Sequence, residues 1–137
     1  MNGKEILNDC AGKMGIELSE KALNDFETYK KLLLEWNEKI NLTAITDEEG
    51  IAIKHFADSI SVLPLIDKSN VSMIDVGTGA GFPGIPIKIA RNDIKVTLLD
   101  SLNKRINFLE EVKKELKLDS VECVHSRAED GGRNSLY

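Results

Sequence analysis

The hydrophobic positions change period once along the chain. Up to residue 63 they recur every three or four residues, the spacing of a helix face. Ile6, Leu7, Cys10, Ala11 and Met14 predict a first helix over residues 3–14, with Gly15 as its stop. Ser19 can cap a second, longer helix. Its inner line is Phe26, Tyr29, Leu33, Trp36 and Ile40, with Lys30, Lys31, Glu35 and Glu38 on the solvent side. Large aromatics at this spacing are core residues first. Thr46-Asp47-Glu48-Glu49 has the form of a capping box, a hydroxyl followed three residues on by Glu. It predicts a third helix that buries Ile53, Phe56, Ile60 and Leu63 and ends at Pro64. His55 and Asp58 are three apart and share one face of that helix. Their spacing suits a surface ion pair or a polar face turned toward a pocket.

After Asp67-Lys68-Ser69-Asn70 the period becomes that of strands. Residues 71–76 read as a strand that ends at Asp75-Val76 and breaks into Gly77-Thr78-Gly79-Ala80-Gly81-Phe82-Pro83-Gly84. Pro86 suits the first turn of a helix running to about Arg91. Residues 94–100 are the clearest strand and also end in an acid, Asp100. Ser101 and Asn103 can start a helix with Leu102, Ile106, Leu109, Val112 and Leu116 inward. Residues 121–125 form a third strand, followed by Ser126-Arg127-Ala128-Glu129. The order β-α-β-α-β predicts an α/β fold with a parallel, Rossmann-like sheet behind an N-terminal helical region. The expected division is a helical region over 1–67 and a cofactor-binding domain over 68–137. Three strands leave an apolar face and an edge uncovered. The sequence therefore reads as the front part of a longer protein, or as one that a partner completes.

Composition narrows the class. An apolar share of 42% and a charged share of 30% in 137 residues suit one soluble domain. No apolar run is long enough to span a membrane, and the N-terminus lacks the pattern of a signal peptide. Cys10 and Cys123 are far apart and read as reduced, so a cytoplasmic location is expected. No set of metal ligands stands out. Residues 1–67 hold seven basic and thirteen acidic side chains, and residues 68–137 hold eleven and ten. That balance argues against a broad basic face for nucleic acid, leaving room only for a local patch.

The glycine loop admits two ligands. Gly79-x-Gly81-x-x-Gly84, with Asp100 some twenty residues on, matches a dinucleotide fingerprint and an NAD(P)-dependent oxidoreductase. Asp75-x-Gly77-x-Gly79-x-Gly81 matches an S-adenosylmethionine site. A pyrophosphate needs backbone N–H groups and no adjacent anion. Asp75 suits a cationic ligand, and Pro83 removes a donor. These residues favour S-adenosylmethionine, held by Asp75, Gly77, Thr78, Gly79, Gly81 and Phe82. Asp100 is placed for the ribose hydroxyls or as a helix cap, and Ala128 and Glu129 lie where an adenine would rest. A non-enzymatic binding module is the third reading.

Several segments together resemble the bacterial small-subunit ribosomal RNA guanine-N7 methyltransferase family, RsmG or GidB. They are Asn41-Leu42-Thr43, His55-Phe56-Ala57-Asp58-Ser59, the loop from Asp75 to Pro86, Leu98-Leu99-Asp100-Ser101-Leu102-x-Lys104-Arg105, and Ser126-Arg127-Ala128-Glu129. The resemblance spans about residues 30–130. It implies a class I methyltransferase fold with S-adenosylmethionine at Gly77, Phe82, Asp100, Ala128 and Glu129. It also implies methyl transfer to the N7 of a guanosine in 16S rRNA, with the rRNA or small ribosomal subunit as partner and a monomeric full-length protein. It assigns no role to His55, Asp58 and Ser59 and implies further strands after the chain's end. Guanine N7 has a free lone pair, so no catalytic base is nominated. Lys88, Arg91, Lys104, Arg105 and Arg127 are the candidate cations for RNA.

Overall fold

The computed structural model describes residues 1–126. Helices α1 (Gly3–Lys13) and α2 (Glu20–Asn37) come first. Asn2 caps α1 in a capping box with Glu5, and Ser19 caps α2 by accepting from the Ala22 N–H. A helical rod follows, made of α3 (Glu48–Gly50), a π-helical stretch (Ile51–Ala57) and α4 (Asp58–Ile60). Then come β1 (Ser72–Val76), α5 (Gly84–Ala90), β2 (Lys95–Asp100), α6 (Asn103–Glu115) and β3 (Val121–His125).

The three strands form one parallel sheet in the order β1-β2-β3. The register sets Val76 beside Leu99 and Asp100 beside His125. The carboxyl ends of the strands are therefore level, and the glycine loop and Asp100 emerge on one rim. This is the expected α/β, Rossmann-like arrangement, in its three-stranded form. Val96 and Leu98 face the helices and are buried, whereas Ile74 and Val76 are 36% and 55% exposed on the other face. The apolar face expected of three strands is thus present. One continuous core runs from Leu7 of α1 to Val121 of β3.

Helix α5 is enclosed on every side. Residues Gly84 to Ile89 are all buried, because α2 and α4 cover its outer surface while β1 and β2 cover the inner one. A short helix that is apolar all round suits such a central place. Its one charge, Lys88, is 1% exposed. The ammonium donates to the carbonyls of Asn92 (2.7 Å) and Ile94 (2.8 Å), closing the turn into β2. Arg91 is committed in the same region. It donates to the carbonyls of Ile66 and Lys68 and pairs with Asp93 at 2.7 Å. Asp93 also accepts from the Asn70 N–H. Neither Lys88 nor Arg91 is therefore available as a cation for RNA.

Several sequence expectations shift. The cap of the third helix is Asp47, whose carboxylate accepts from the Gly50 N–H at 2.8 Å, instead of Thr46. Ile53, expected inside, is 39% exposed. The π-helical stretch widens the turn, so the buried positions step by five from Ile51 and Ala52 to Phe56 and Ala57. Leu102 is 49% exposed because it stands before α6 in extended conformation. Neither Ser101 nor Asn103 caps that helix; the Asp100 carboxylate takes the Leu102 N–H instead. Trp36 is half-buried, packing on Phe108 with ring centroids 5.7 Å apart. Lys30 is half-buried too, bridging Glu27 and Glu48.

Two outcomes follow from this packing. Lys88→Met should lower unfolding free energy in urea by about 2–3 kcal/mol, since the buried Ile94 carbonyl and the Asn92 carbonyl lose a charged donor. The Arg91 guanidinium and the Asn70 N–H hold the Asp93 carboxyl down at about 2. That stabilisation is complete above the ordinary carboxylate range and is lost as pH falls toward 2. Asp93→Asn should flatten this acid limb in pH-dependent denaturation.

Candidate functional site

The loop after β1 is closed by its own hydrogen bonds. Gly77, Gly79 and Gly81 have φ of 68°, 61° and 98°, a region that side chains disfavour. This winding sends the amides inward. The Gly77 and Thr78 N–H groups donate to the Leu99 carbonyl at 2.8 and 3.1 Å. The Gly81 and Phe82 N–H groups donate to the Thr78 carbonyl. Gly79 donates to Asp100 Oδ2 at 2.8 Å and Gly84 to Asp75 Oδ2 at 3.0 Å. Pro83 has no N–H. From Gly77 to Gly84, all but Ala80 among the N–H groups thus have a partner within the chain.

Two acids hold this arrangement. Asp75 is buried at 8% exposure, and its Oδ2 also accepts from the Thr78 hydroxyl at 2.6 Å. Burial raises its pKa, Asp100 adds to the rise, and the Thr78 and Gly84 donors oppose it. Asp100 is 2% exposed and joins two loops. Its Oδ2 takes Gly79, its Oδ1 takes the Leu102 N–H at 2.9 Å, and Arg105 lies 3.5 Å from Oδ1. Asp75 Oδ2 takes two donors, whereas Asp100 Oδ2 takes one and has a second lone pair for another.

The other wall comes from the helical region. Tyr29 of α2 is fully buried, and its hydroxyl donates to the Ala80 carbonyl across 51 residues of sequence. Its ring lies against Phe56 (5.4 Å), Phe82 (5.8 Å) and Phe108 (6.4 Å). Burial, with the charge of Asp75, raises the Tyr29 pKa well above its ordinary value, so the phenol stays a donor. Gly81 is fitted against it. A Cβ there would stand 2.8 Å from the Tyr29 oxygen and 2.7 Å from Ile85 Cγ1. At Gly77 and Gly79 nothing lies within 4 Å of a Cβ position, so a ligand can approach their backbone.

Asp75, Thr78, Gly79, Gly81 and Asp100 thus share one hydrogen-bonded cluster at the strand ends, while Gly77 is exposed and Phe82 half-exposed. Ala128, Glu129 and Arg127 lie outside the described residues. Lys104 is exposed and Arg105 half-exposed at the start of α6. Tyr29 escaped the sequence reading, which placed it in the core without a polar task. The available signal was its hydroxyl, the one such group on the inner line of α2; buried tyrosines take hydrogen-bond partners. Among the described residues no group of His, Cys, Asp or Glu could hold a metal ion, and no helix is long and apolar enough to cross a membrane.

A parallel sheet whose first strand runs through an acid into an inward-bonded glycine loop, with a second acid on the next strand end, fits a partial Rossmann-like domain of the methyltransferase type. Comparison with known proteins gives the family. The family model described as GidB, rRNA small subunit methyltransferase G, matches residues 22–137. Curated proteins named ribosomal RNA small subunit methyltransferase G are similar along nearly the whole chain. The one from Clostridium perfringens (strain SM101) is 55% identical over 130 residues, 94% of this chain and 54% of the relative. Those from Alkaliphilus metalliredigens and Lysinibacillus sphaericus are 51% and 53% identical, each over 100% of this chain and 58% of the relative. The chain belongs to the GidB family of rRNA small subunit methyltransferases. It spans somewhat more than half the length of these curated relatives.

The fit of Tyr29 to Gly81 gives a double-mutant outcome. Tyr29→Phe should cost roughly 1–2 kcal/mol in urea unfolding, through the unpaired Ala80 carbonyl. Gly81→Ala should cost more. The double variant should be more stable than the sum of the two losses implies, because the phenol oxygen that meets the new methyl is gone.

Proposed function

We propose that this chain supplies the cofactor-binding part of an S-adenosylmethionine-dependent methyltransferase that acts on N7 of a guanosine in 16S rRNA. The observation that carries the reading is the inward winding of the loop amides. A pyrophosphate cradle needs several N–H groups directed at the ligand, and here one amide of the loop is uncommitted. The open backbone of Gly77 and Gly79 fits a ligand bound by contact with peptide surface and by acids. The family and the names of the relatives supply the methyl-transfer chemistry and the rRNA substrate. The N7 position rests on the resemblance in sequence.

S-adenosylmethionine, when bound, supplies the electrophilic methyl group. The chain's own part is to place it. Gly77, Thr78 and Gly79 form the floor, Gly81 and Phe82 the exit, and Asp100 offers its free lone pairs to ribose hydroxyls. Ala128 and Glu129 take the adenine. Asp75 acts through the loop that it braces. Guanine N7 carries a lone pair and no proton, so no residue is needed as a base. The catalytic contribution is positioning, which can reach about 7–11 kcal/mol at best. Lys104 and Arg105, on the rim beside Asp100, are the described cations best placed for the phosphates of the RNA. The protein acts as a monomer in the cytoplasm.

Calorimetric titration tests the cofactor. Binding of S-adenosylmethionine at least 10-fold tighter than NAD is expected, and the reverse order would overturn the assignment. Asp75 is tested by two substitutions. Asp75→Asn keeps an oxygen for Thr78 and Gly84 and should leave affinity within about 3-fold. Asp75→Ala removes the brace and should lose about 2–3 kcal/mol of stability together with 10-fold or more in affinity.

A further inference from the structure

Two segments that the methyltransferase reading leaves without a task meet in one contact. Asn41-Leu42-Thr43 follows α2, and His55 lies in the π-helical stretch. The Asn37 side chain accepts from the Leu42 and Thr43 N–H groups at 2.8 and 3.0 Å, which fixes the turn. Thr43 Oγ1 accepts from the Ile45 N–H at 3.0 Å and lies 2.7 Å from His55 Nε2. The Ser59 hydroxyl donates to the His55 carbonyl one turn further on. The imidazole so held stacks on Phe82, with centroids 4.3 Å apart and planes 14° from parallel. Phe82 is the last residue of the glycine loop before Pro83, and its N–H closes the loop on Thr78.

We propose that His55 is a positioning residue for the glycine loop. Its ring, oriented by Thr43, forms a flat stop that sets the place of Phe82 and so the exit of the loop. The proposal rests on the reading of this loop as the cofactor site. Packing alone would not call for this ring, since an aliphatic side chain fills such a place without an oriented nitrogen. The ring is instead specified at two points: Nε2 by Thr43 and one face by Phe82. Burial lowers the His55 pKa while Asp58 pulls it up. The π-helical turn has a use here. It holds Phe56 and Ala57 in the core while His55 keeps to the edge of the core beside the loop.

Hydrogen exchange of the ligand-free chain, followed by mass spectrometry, separates this role from general stability. His55→Ala should speed exchange of the amides of residues 77–84 by roughly 10-fold or more, with the amides of α1 and α6 at wild-type rates. His55→Phe, which keeps a flat ring but loses the bond to Thr43, should bring the loop part of the way back, to the level of Thr43→Val. Thr43→Val should raise loop exchange by an intermediate factor. In titrations, His55→Ala should weaken S-adenosylmethionine binding about 10-fold and His55→Phe by much less. Loop exchange in His55→Ala equal to wild type would overturn the proposal, as would a uniform rise across the whole chain. Should His55→Ala not fold, Thr43→Val decides by the same loop amides. A wild-type chain that fails to bind S-adenosylmethionine would defeat the cofactor reading, and the exchange data would still judge His55.

Discussion

The hydrogen bond from the Tyr29 hydroxyl to the Ala80 carbonyl ties the helical half of the chain to the loop that the sheet presents. It is made inside a closed core, where an unpaired carbonyl is costly. Tyr29 therefore fixes where α2 can lie over the loop, and α2 in turn covers α5 and α6. Gly81 has no room for a side chain because the phenol, Ile85 and Leu109 fill that space. The rings of Phe56, Phe82 and Phe108 complete the enclosure. The N-terminal helices are thus a wall of the site as well as a cover for the sheet.

The loop has a second constraint, the satisfaction of its own donors. A glycine-rich turn is commonly read as a place where amides await an anion. Here φ values in the left-handed region turn those amides to Leu99, Thr78, Asp75 and Asp100. The surface presented outward is peptide edge and glycine Cα. The acids on which the loop closes take donors that an anion would otherwise meet. Asp75 and Asp100 do this from strand ends that the parallel register keeps level.

Much of this was legible in the sequence, and the misses have physical causes. The three strands and their helices followed from period and from the glycine and proline breaks, because sheet strands buried on one face leave strong patterns. The phase of the third helix did not, since Ile53 sits where a normal turn would bury it and a π-helical turn does not. Lys88 and Arg91 read as surface cations because the burial of the first and the distant carbonyl partners of the second come from the tertiary fold. The acids of the loop were visible as residues; which donors they hold was not, because those bonds depend on backbone winding. Tyr29 was visible as a core position, and its polar partner lies 51 residues away.

Asp100 links the start of the first crossover to the start of the second, through Gly79 on one oxygen and Leu102 on the other. The two loops cannot drift independently while that carboxylate holds both. The openings of the two crossovers are therefore set against each other by one side chain. A ligand bound on this rim, as proposed, would meet two loops already fixed to one another, with less freedom left to lose on binding.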